Sequence, residues 1–343
     1  MALPDHVGVD FGNYTVKAVY LRNISSAPEL VSFSDQTTPV GVVNSEDPSH
    51  QQKLADVMKS LWDEGGFRTN NVIAALPESL IFTRFLEFPG ITEEELDDAV
   101  HWQAKQVVPI PLSDVVISSI ILGKGVNDKT DVFKVLLVAA PKKIIDLYMG
   151  VLQLAKLEPI ALETEAIASG RAIYKSGAIR DAIILDFGST STVMSMMNTG
   201  NLIFSQSISV GSDALTRAIA SEFSFEHNQA EEYKRNYGLT PDQLEGKIYN
   251  TIKPVMDSIV AEIRRGIEFY KTRTMYAPPK NMVLIGDGAL LPGLVVYLAK
   301  EFGASVELGD PFKNIGMSKK HENSLAKGRA AYTVAVGLAL KDE

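Results

Sequence analysis

VGVDFGNYTVKAVYL, from Val7 to Leu21, is repeated in altered form as AIILDFGSTSTVMSMM, from Ala182 to Met197. Asp10 of the first copy aligns with Asp186 of the second at an offset of 176 residues (186 − 10 = 176). Each copy is an apolar β-run, an Asp, an aromatic residue, a Gly, small polar residues and a second β-run, which is the pattern of a hairpin with a tight polar loop. Two such hairpins facing each other would clamp an anionic ligand.

The loop of each hairpin has the composition of a phosphate-binding turn. Gly12 and Gly188 keep the same offset (188 − 12 = 176), and we expect them to allow positive φ and to leave no Cβ in the way of a phosphate. The other loop residues, most of them small donors, are Asn13, Tyr14, Thr15, Ser189, Thr190, Ser191 and Thr192. An ordinary Asp and Gly turn is the alternative for either hairpin alone, whereas the matched pair favours a nucleotide.

The two aligned carboxylates predict a magnesium ion. Asp10 or Asp186 would repel a polyphosphate unless a cation lay between them, and Mg²⁺ is held by one or two carboxylates, several waters and the phosphates. Lys17 follows Asp10 by seven residues (17 − 10 = 7), on the returning strand, where its ammonium could reach the phosphates. Its counterpart in the second copy is Val193. These residues predict a magnesium and polyphosphate site between the hairpins.

The paired hairpins resemble those of the actin, sugar kinase and heat-shock ATPase superfamily, in which two related domains each begin with one. This resemblance implies an actin-like (ribonuclease H-like) two-domain α/β fold and ATP as the ligand. NMVLIGDGALLPGLVVYLAKEF resembles the adenosine motif of the superfamily, with a strand at Met282–Ile285 and a helix from Leu294. The turn consists of Gly286, Asp287, Gly288 and Ala289, and Asp287 stands where members usually carry Gly, which places a negative charge near the nucleotide.

Two helical fragments add candidate residues through the same resemblance. Glu231 and Lys234 project from one helix face, and in relatives such a pair holds the ribose and adenine; a solvated salt bridge is the alternative. Glu165 begins a helix after an extended segment, as does the water-activating acid of relatives, so the resemblance implies a catalytic role. Ordinary capping chemistry in a first helical turn is the alternative for Glu165.

Composition excludes several classes of protein. Lys and Arg number 33 against 42 Asp and Glu, and the net charge of −9 without a basic stripe argues against binding nucleic acid or an anionic membrane directly. Zero Cys excludes disulfides and thiolate metal sites, and the five His lack a paired ligand spacing. We expect a cytoplasmic protein without direct membrane insertion, since the sequence shows no signal peptide and no apolar run of about twenty residues.

A block that the duplicated plan does not require follows the first hairpin. A strand is predicted at Ser79–Phe88, then a helix with a capping box of Thr92 and Glu95, then two strands and a helix ending at Lys156. The predicted domains are 1–78, completed by 157–180 and 327–343; the insertion, 79–156; and 181–326, with a helical part at about 212–275. Strand, helix, strand, strand, helix is the pattern of a small inserted α/β subdomain.

The insertion resembles that of two actin-like families, the cell-division protein FtsA and PilM of type IV pilus assembly. FPGITEEELDDAVHWQAKQVVPIPLSDVVI, AEEYKRNYG and EIRRGIEFYKTR are similar to segments of PilM, and the resemblance covers nearly the whole chain. FtsA characteristically ends in an amphipathic membrane-targeting helix, whereas this sequence stops at GLALKDE. The chain is therefore identified as a member of the PilM family.

This family resemblance implies an ATP-binding scaffold that holds the cytoplasmic N-terminal peptide of the bitopic protein PilN. The scaffold would be recruited to the inner face of the cytoplasmic membrane by that partner and would contact other pilus platform and motor components, with self-association left open. Candidate partner-binding residues lie in the insertion: Ile81 and Phe85, on a strand edge open to β-augmentation, and Trp102, for which core packing is the alternative. ATP turnover is expected to be slow at most.

Two further classes of function stay open. An FtsA-like filament-forming ATPase would share the hairpins and the insertion. A small-metabolite kinase would also need a carboxylate base in the cleft and substrate-recognition loops, and the sequence identifies neither.

Overall fold

The computed structural model describes residues 3–127, 130–177, 180–274 and 276–342. The first half of the chain forms β1 (Val7–Phe11), β2 (Thr15–Arg22), β3 (Glu29–Thr37), α1 (Pro48–Gly65), β4 (Asn71–Leu76), β5 (Phe82–Pro89), α2 (Leu96–Val107), β6 (Val115–Asn127), β7 (Thr130–Pro141), α3 (Lys142–Leu154), β8 (Glu158–Thr164) and α4 (Glu165–Lys175). The second half forms β9 (Ala182–Phe187), β10 (Thr192–Asn198), β11 (Asn201–Ile208), α5 (Ser212–Phe223), α6 (His227–Tyr237), α7 (Lys247–Arg273), β12 (Asn281–Ile285), α8 (Leu294–Phe302), β13 (Ser305–Leu308), α9 (Lys319–Leu325) and α10 (Thr333–Ala339).

The two large sheets have the same topology, which confirms the predicted duplication and the two-domain actin-like fold. Their strand orders are β3-β2-β1-β4-β8 and β11-β10-β9-β12-β13. In each sheet the first strand pairs antiparallel with the second and parallel with a later strand. Asp10 lies opposite Lys17 in the first hairpin, and Asp186 lies opposite Val193 in the second, as the alignment of the two copies requires.

Alternating residues of the first sheet face two different helical layers. One face packs against α1 and α3, and the other packs against α10, which returns to the first domain as predicted. Gly8 and Gly337 allow the close approach of α10, because a Cβ on Gly8 would lie 2.2 Å from the carbonyl oxygen of Ala335 and one on Gly337 would lie 1.9 Å from that of Ala168. The C-terminal helix is therefore an integral part of the first domain.

The helix α3 corrects the predicted boundary of the insertion. Its residues Ile144, Leu147, Tyr148, Val151 and Leu152 are buried in the core of the first domain, together with α1. Sequence reasoning grouped α3 with the preceding strands because β7 leads into it at Pro141 without a loop. The inserted subdomain consists of β5, α2, β6 and β7, whereas α3 is a structural helix of the first domain.

The inserted subdomain is a sheet of order β5-β7-β6 with α2 packed on one face. Thr92 and Glu95 form the reciprocal bonds of the predicted capping box, from Thr92 N to Glu95 Oε2 at 2.9 Å and from Glu95 N to Thr92 Oγ1 at 3.4 Å. These bonds close the turn before α2, whose first helical residue is Leu96. Both β5 and β6 are edge strands of this sheet.

The second domain buries the face of its sheet that carries Ile183, Leu185 and Phe187 against α5 to α8. The segment predicted to be helical contains α5, α6 and α7, and Met275, its predicted last residue, lies outside the described residues. The helix α4 joins the domains, since Ala166 and Ile173 pack against the second sheet while Ala168 packs against the first. None of the described helices combines the length and apolarity needed to cross a membrane.

Candidate nucleotide-binding cleft and insertion groove

The two hairpins meet at a cleft that contains a cavity of about 390 Å³. The predicted residues that line it are Asp10, Gly12, Asn13, Tyr14, Lys17, Glu165, Asp186, Gly188, Ser189, Thr190, Ser191, Gly286 and Asp287. A second cavity of about 290 Å³ shares Tyr14, Ser189 and Asp287 with the first and reaches Glu231, Lys234 and Gly288. The structure thus brings together residues from five distant segments of the chain.

Three of the predicted site residues lie outside the lining of both cavities. Thr15 is adjacent, and its hydroxyl donates to Asp287 Oδ2 at 3.1 Å. Thr192 is 2 % exposed and donates to the carbonyl of Val210, and Ala289 is 2 % exposed in the core of the second domain. Thr192 and Ala289 therefore support the loops from behind.

The glycines of the hairpin loops are required for a reason other than the predicted one. Gly12 and Gly188 are absent from the residues with positive φ, so the expected left-handed conformation is wrong. A Cβ on Gly12 would lie 2.5 Å from the carbonyl oxygen of Thr15, and one on Gly188 would lie 2.9 Å from that of Ser191. Gly286, at φ 87°, is the glycine of the site that needs the left-handed region, and its Cβ would lie 2.3 Å from Asp186 Oδ1.

Asp10, on β1, and Asp186, on β9, both line the cleft. Desolvation raises the pKa of Asp10 to about 6, against the lowering effect of the Lys17 charge. Desolvation and the charge of Asp10 raise the pKa of Asp186 to about 7. Neither carboxylate has a hydrogen-bond or ion-pair partner among the described residues. Two desolvated carboxylates without donors are suited to a hydrated divalent cation.

Lys17 is engaged by a residue of the other domain. Its ammonium lies 2.7 Å from Asp287 Oδ2 and also donates to the Thr15 hydroxyl. The Lys17 side chain is 5 % exposed and that of Asp287 is 33 % exposed. Asp287 is therefore the counter-ion of the residue that was predicted to bind phosphate, a relation that the sequence did not reveal.

Glu165 occupies the predicted position, as the first residue of α4 after its N-cap Thr164. Desolvation, reinforced by the charge of Asp10, raises the pKa of Glu165 well above its usual range. Its Oε2 accepts a hydrogen bond from the backbone N–H of Glu78 at 3.0 Å. Burial thus disfavours the charged form of Glu165, which is the form that would accept a proton from water.

Glu78 and Tyr148 belong to this region and were missed by sequence reasoning. Glu78 is 5 % exposed, accepts hydrogen bonds from Ser205 and Thr83 through Oε1, and has no partner for Oε2 among the described residues. The Tyr148 hydroxyl donates to Asn44 Oδ1 at 2.9 Å, and burial raises its pKa well above the usual range. Neither residue belongs to a motif, so only long-range packing could have identified them.

Glu231 and Lys234 form a buried pair, so the solvated salt bridge considered as an alternative is wrong. Their side chains are 18 % and 6 % exposed, and Lys234 Nζ lies 2.6 Å from Glu231 Oε2. Lys234 also donates to the Ser212 carbonyl at 3.2 Å and to the Thr216 hydroxyl at 2.9 Å. An ammonium has three donors, and all three are used within the protein. Lys234 can therefore offer a ligand its aliphatic stem.

A groove of about 410 Å³ separates the insertion from the second domain. Its walls are the edge strands β5 and β11, and Ile81 and Phe85 line it, each half-buried. Phe85 contacts the Tyr276 ring edge-on at 6.2 Å between centroids. Trp102 lies elsewhere on the insertion and is 61 % exposed, so core packing is wrong for this residue. The predicted β5 edge is confirmed as an edge, and the partner-binding roles of all three residues stay predictions.

The cleft can hold a metal only with help from a ligand. No group of three or more His, Cys, Asp or Glu side chains among the described residues could hold a metal ion alone. Asp10 and Asp186 could instead contact the water shell of Mg²⁺ while the phosphates supply further oxygens. The donor set of the cleft therefore fits a magnesium–nucleotide complex.

Comparison with known proteins agrees with this architecture. Residues 8–343 match the family described as "Type IV pilus assembly protein PilM". The cell division protein FtsA of Enterococcus hirae is 21 % identical over 358 residues, which cover 89 % of this chain and 78 % of the relative.

Solved structures show the same fold. The chain in the structure titled "PilM-PilN type IV pilus biogenesis complex" is 25 % identical with a TM-score of 0.85, and 98 % of each chain is covered. MreB5 of Spiroplasma citri bound to AMPPNP is 14 % identical with a TM-score of 0.54, over 97 % of this chain and 94 % of the other. The match over nearly its full length places this chain in the family of the type IV pilus assembly protein PilM.

Proposed function

We propose that this protein is an ATP-binding scaffold of type IV pilus assembly. The observation that supports ATP binding most directly is that Asp10 and Asp186, one from each domain, line a cleft that also contains Lys17. Asp10 and Asp186 would hold Mg²⁺ through water, and Lys17 would contact the phosphates as a point charge. The magnesium ion would neutralise phosphate charge between these carboxylates. The second cavity, beside α6, would take the ribose and adenine.

The chain's own residues favour binding over fast hydrolysis. Hydrolysis requires a base for the attacking water, and the burial that raises the pKa of Glu165 disfavours the carboxylate that would act as this base. Bound nucleotide would contact both hairpins and so hold the two domains together. Turnover is accordingly slow at most.

The partner of this scaffold is proposed to be the cytoplasmic N-terminal peptide of PilN, the protein that accompanies PilM in the similar complex. The edge of β5 supplies free main-chain groups to an extended peptide, and Ile81 and Phe85 border the adjoining groove. Trp102 is a second apolar anchor, exposed on the same subdomain. Recruitment to the inner face of the cytoplasmic membrane would then follow from the partner, which also connects the scaffold to other platform and motor components.

A peptide pull-down tests this proposal. Purified full-length protein should capture a PilN N-terminal peptide from the same organism, and Trp102→Ala should weaken capture. Val40→Ala, at a position that is 98 % exposed on the first domain, is the matched control and should have no effect. Failure of folded wild-type protein to retain the peptide, with and without Mg²⁺–ATP, would contradict the proposed partner.

An FtsA-like filament is the second candidate, since a match to FtsA covers 89 % of the chain. The measurement that separates the two is sedimentation with and without Mg²⁺–ATP. A scaffold stays in the supernatant, whereas an ATP-dependent pellet would favour the filament.

A further inference from the structure

We propose that Asp287 is an internal substitute for phosphate, which holds Lys17 until nucleotide displaces it. Lys17 Nζ and the Thr15 hydroxyl both donate to Asp287 Oδ2, at 2.7 and 3.1 Å. An ammonium and a hydroxyl converging on one anionic oxygen is the arrangement that a phosphate oxygen would receive from the same donors. The inference rests on the proposed binding of nucleotide in this cleft.

The position of Asp287 makes it an obstacle to any nucleotide that spans the site. Asp287 lines both the cavity between the hairpins and the cavity beside α6. A nucleotide with its phosphates in the first cavity and its base in the second must pass the place where the cavities adjoin. The carboxylate and the phosphate chain therefore compete for the same region of the cleft.

The charges that line the cleft determine how the Lys17–Asp287 pair affects nucleotide affinity. Asp10, Asp186 and Asp287 all line the cavity that receives the phosphates, and Lys17 is the lysine among its lining residues. While Lys17 is paired with Asp287, incoming phosphate meets carboxylates without that compensating cation. Nucleotide binding must break the ion pair, so the net affinity is lower than the donor set alone would give.

The same contact also joins the two domains. Lys17 and Thr15 belong to β2 of the first domain, whereas Asp287 follows β12 of the second. Displacement of Asp287 by phosphate would replace a direct tie between domains with one made through the ligand. The protein without nucleotide is therefore held closed by its own side chains.

Asp287→Asn tests the competition because it keeps the size of the side chain and removes its charge. Affinity for Mg²⁺–ATP, measured by titration calorimetry, should rise on the order of tenfold, the scale of one charge-assisted hydrogen bond. In a Lys17→Ala background the same substitution should change affinity much less. Asp310→Asn is the matched control, because Asp310 pairs with Arg329 at 2.9 Å with similar exposure and lines neither cavity.

A second measurement tests, in the absence of nucleotide, whether the Lys17–Asp287 contact holds the two domains together. The chain contains no Cys, so cysteines introduced at Val40 and Val296, which are 98 % and 74 % exposed on different domains, can carry a pair of fluorescent labels. Asp287→Asn should broaden or lengthen the distance between the labels relative to Asp257→Asn, which breaks an ion pair with Lys253 within α7 of the second domain, and Mg²⁺–ATP should restore it.

The outcomes separate this inference from the proposed function. If the wild type binds Mg²⁺–ATP and Asp287→Asn binds it no more tightly, the inference is wrong and nucleotide binding stands. If Asp287→Asn binds and the wild type does not, the inference is supported and wild-type nucleotide binding fails. If neither protein binds Mg²⁺–ATP, the proposed nucleotide binding is wrong. An unchanged label distance in Asp287→Asn would then also contradict the Lys17–Asp287 contact as a tie between the domains, whereas a longer distance would support it.

Discussion

The side-chain amide of Asn13 donates a hydrogen bond to the Thr190 hydroxyl at 3.0 Å, which joins the tips of the two hairpin loops across the cleft. This contact lies at the rim of the cavity that contains Asp10 and Asp186. A nucleotide bound as proposed would therefore enter past loops that touch each other.

Lys17→Ala should weaken Mg²⁺–ATP binding by about 1.5 to 3 kcal/mol, because it removes a charge-assisted contact to phosphate. Calorimetric titration at fixed Mg²⁺ measures the change. Lys59→Ala, which removes an exposed pair with Asp56, is the control, and wild-type affinity in Lys17→Ala would remove this lysine from the site.

Removal of Mg²⁺ should abolish most ATP binding to the wild type, since Asp10 and Asp186 then face the phosphates directly. The Asp10→Asn, Asp186→Asn double variant should show the opposite preference, with weaker binding of Mg²⁺–ATP and stronger binding of free ATP. Titrations with magnesium and with EDTA compare the two. If ATP binding depends equally on magnesium in both proteins, Asp10 and Asp186 do not hold the ion.

Phosphate release by the wild type should be slow, and loss of it in Glu165→Gln with ATP binding retained would support a role for this carboxyl. A coupled phosphate assay on purified protein, with binding measured in parallel, provides both quantities. Several turnovers per second in the wild type would contradict the proposed scaffold.

The buried pair on α6 predicts a pH-dependent stability. Desolvation acts to raise the pKa of Glu231, but hydrogen bonds from Lys234, Thr216 and Arg235 outweigh it and lower the pKa to about 2, from an ordinary 4.5. Because the folded-state pKa is the lower one, the contribution is present above pH 4.5 and is lost as the pH falls toward 2.

Glu231→Gln should therefore lower the free energy of unfolding at pH 7 by about 3 kcal/mol at most, at 1.36 kcal/mol per pKa unit. Urea titrations at pH 7 and pH 3 should show the difference shrinking by more than half. Glu262→Gln, which breaks an exposed pair with Arg265, should cost under about 0.5 kcal/mol at either pH. A Glu231→Gln effect that does not change with pH would disprove the ionic origin.

Two glycines in helices should respond to Ala in opposite directions. Gly337→Ala should destabilise the protein by about 1 to 3 kcal/mol, because its Cβ would lie 1.9 Å from the Ala168 carbonyl oxygen. Gly150→Ala, on α3, meets nothing within 4 Å and should stabilise by about 0.5 to 1 kcal/mol. Thermal and urea unfolding measure both, and a stable Gly337→Ala would show that α10 can shift.

The features that could be predicted from the sequence are those that local sequence patterns encode. The hairpins, the position of Glu165 at a helix start and the equivalence of Lys17 with Val193 all follow from repeats and periodicity. The partner of Lys17 does not, because Asp287 lies 270 residues away and carries no local signal of pairing. The backbone of Gly12 is likewise fixed by the carbonyl of Thr15 across the loop, which composition cannot show.

The assignment of α3 also depended on information that the sequence lacks. An amphipathic helix after a strand shows that it packs, but not on which sheet. A deletion of 79–156, which the predicted boundaries suggest, would remove the core residues Leu147, Tyr148 and Val151. A deletion that removes the insertion alone must end before Lys142, the first residue of α3.

The edge strands β5 and β11 face each other across the insertion groove. An exposed strand edge is a template for pairing with another molecule, and two on one surface would invite uncontrolled assembly into extended sheets. Because β11 borders the groove beside β5, each edge limits the approach of another folded sheet to the other. The groove that would receive a partner's tail thus also restricts edge-to-edge pairing at β5 and β11.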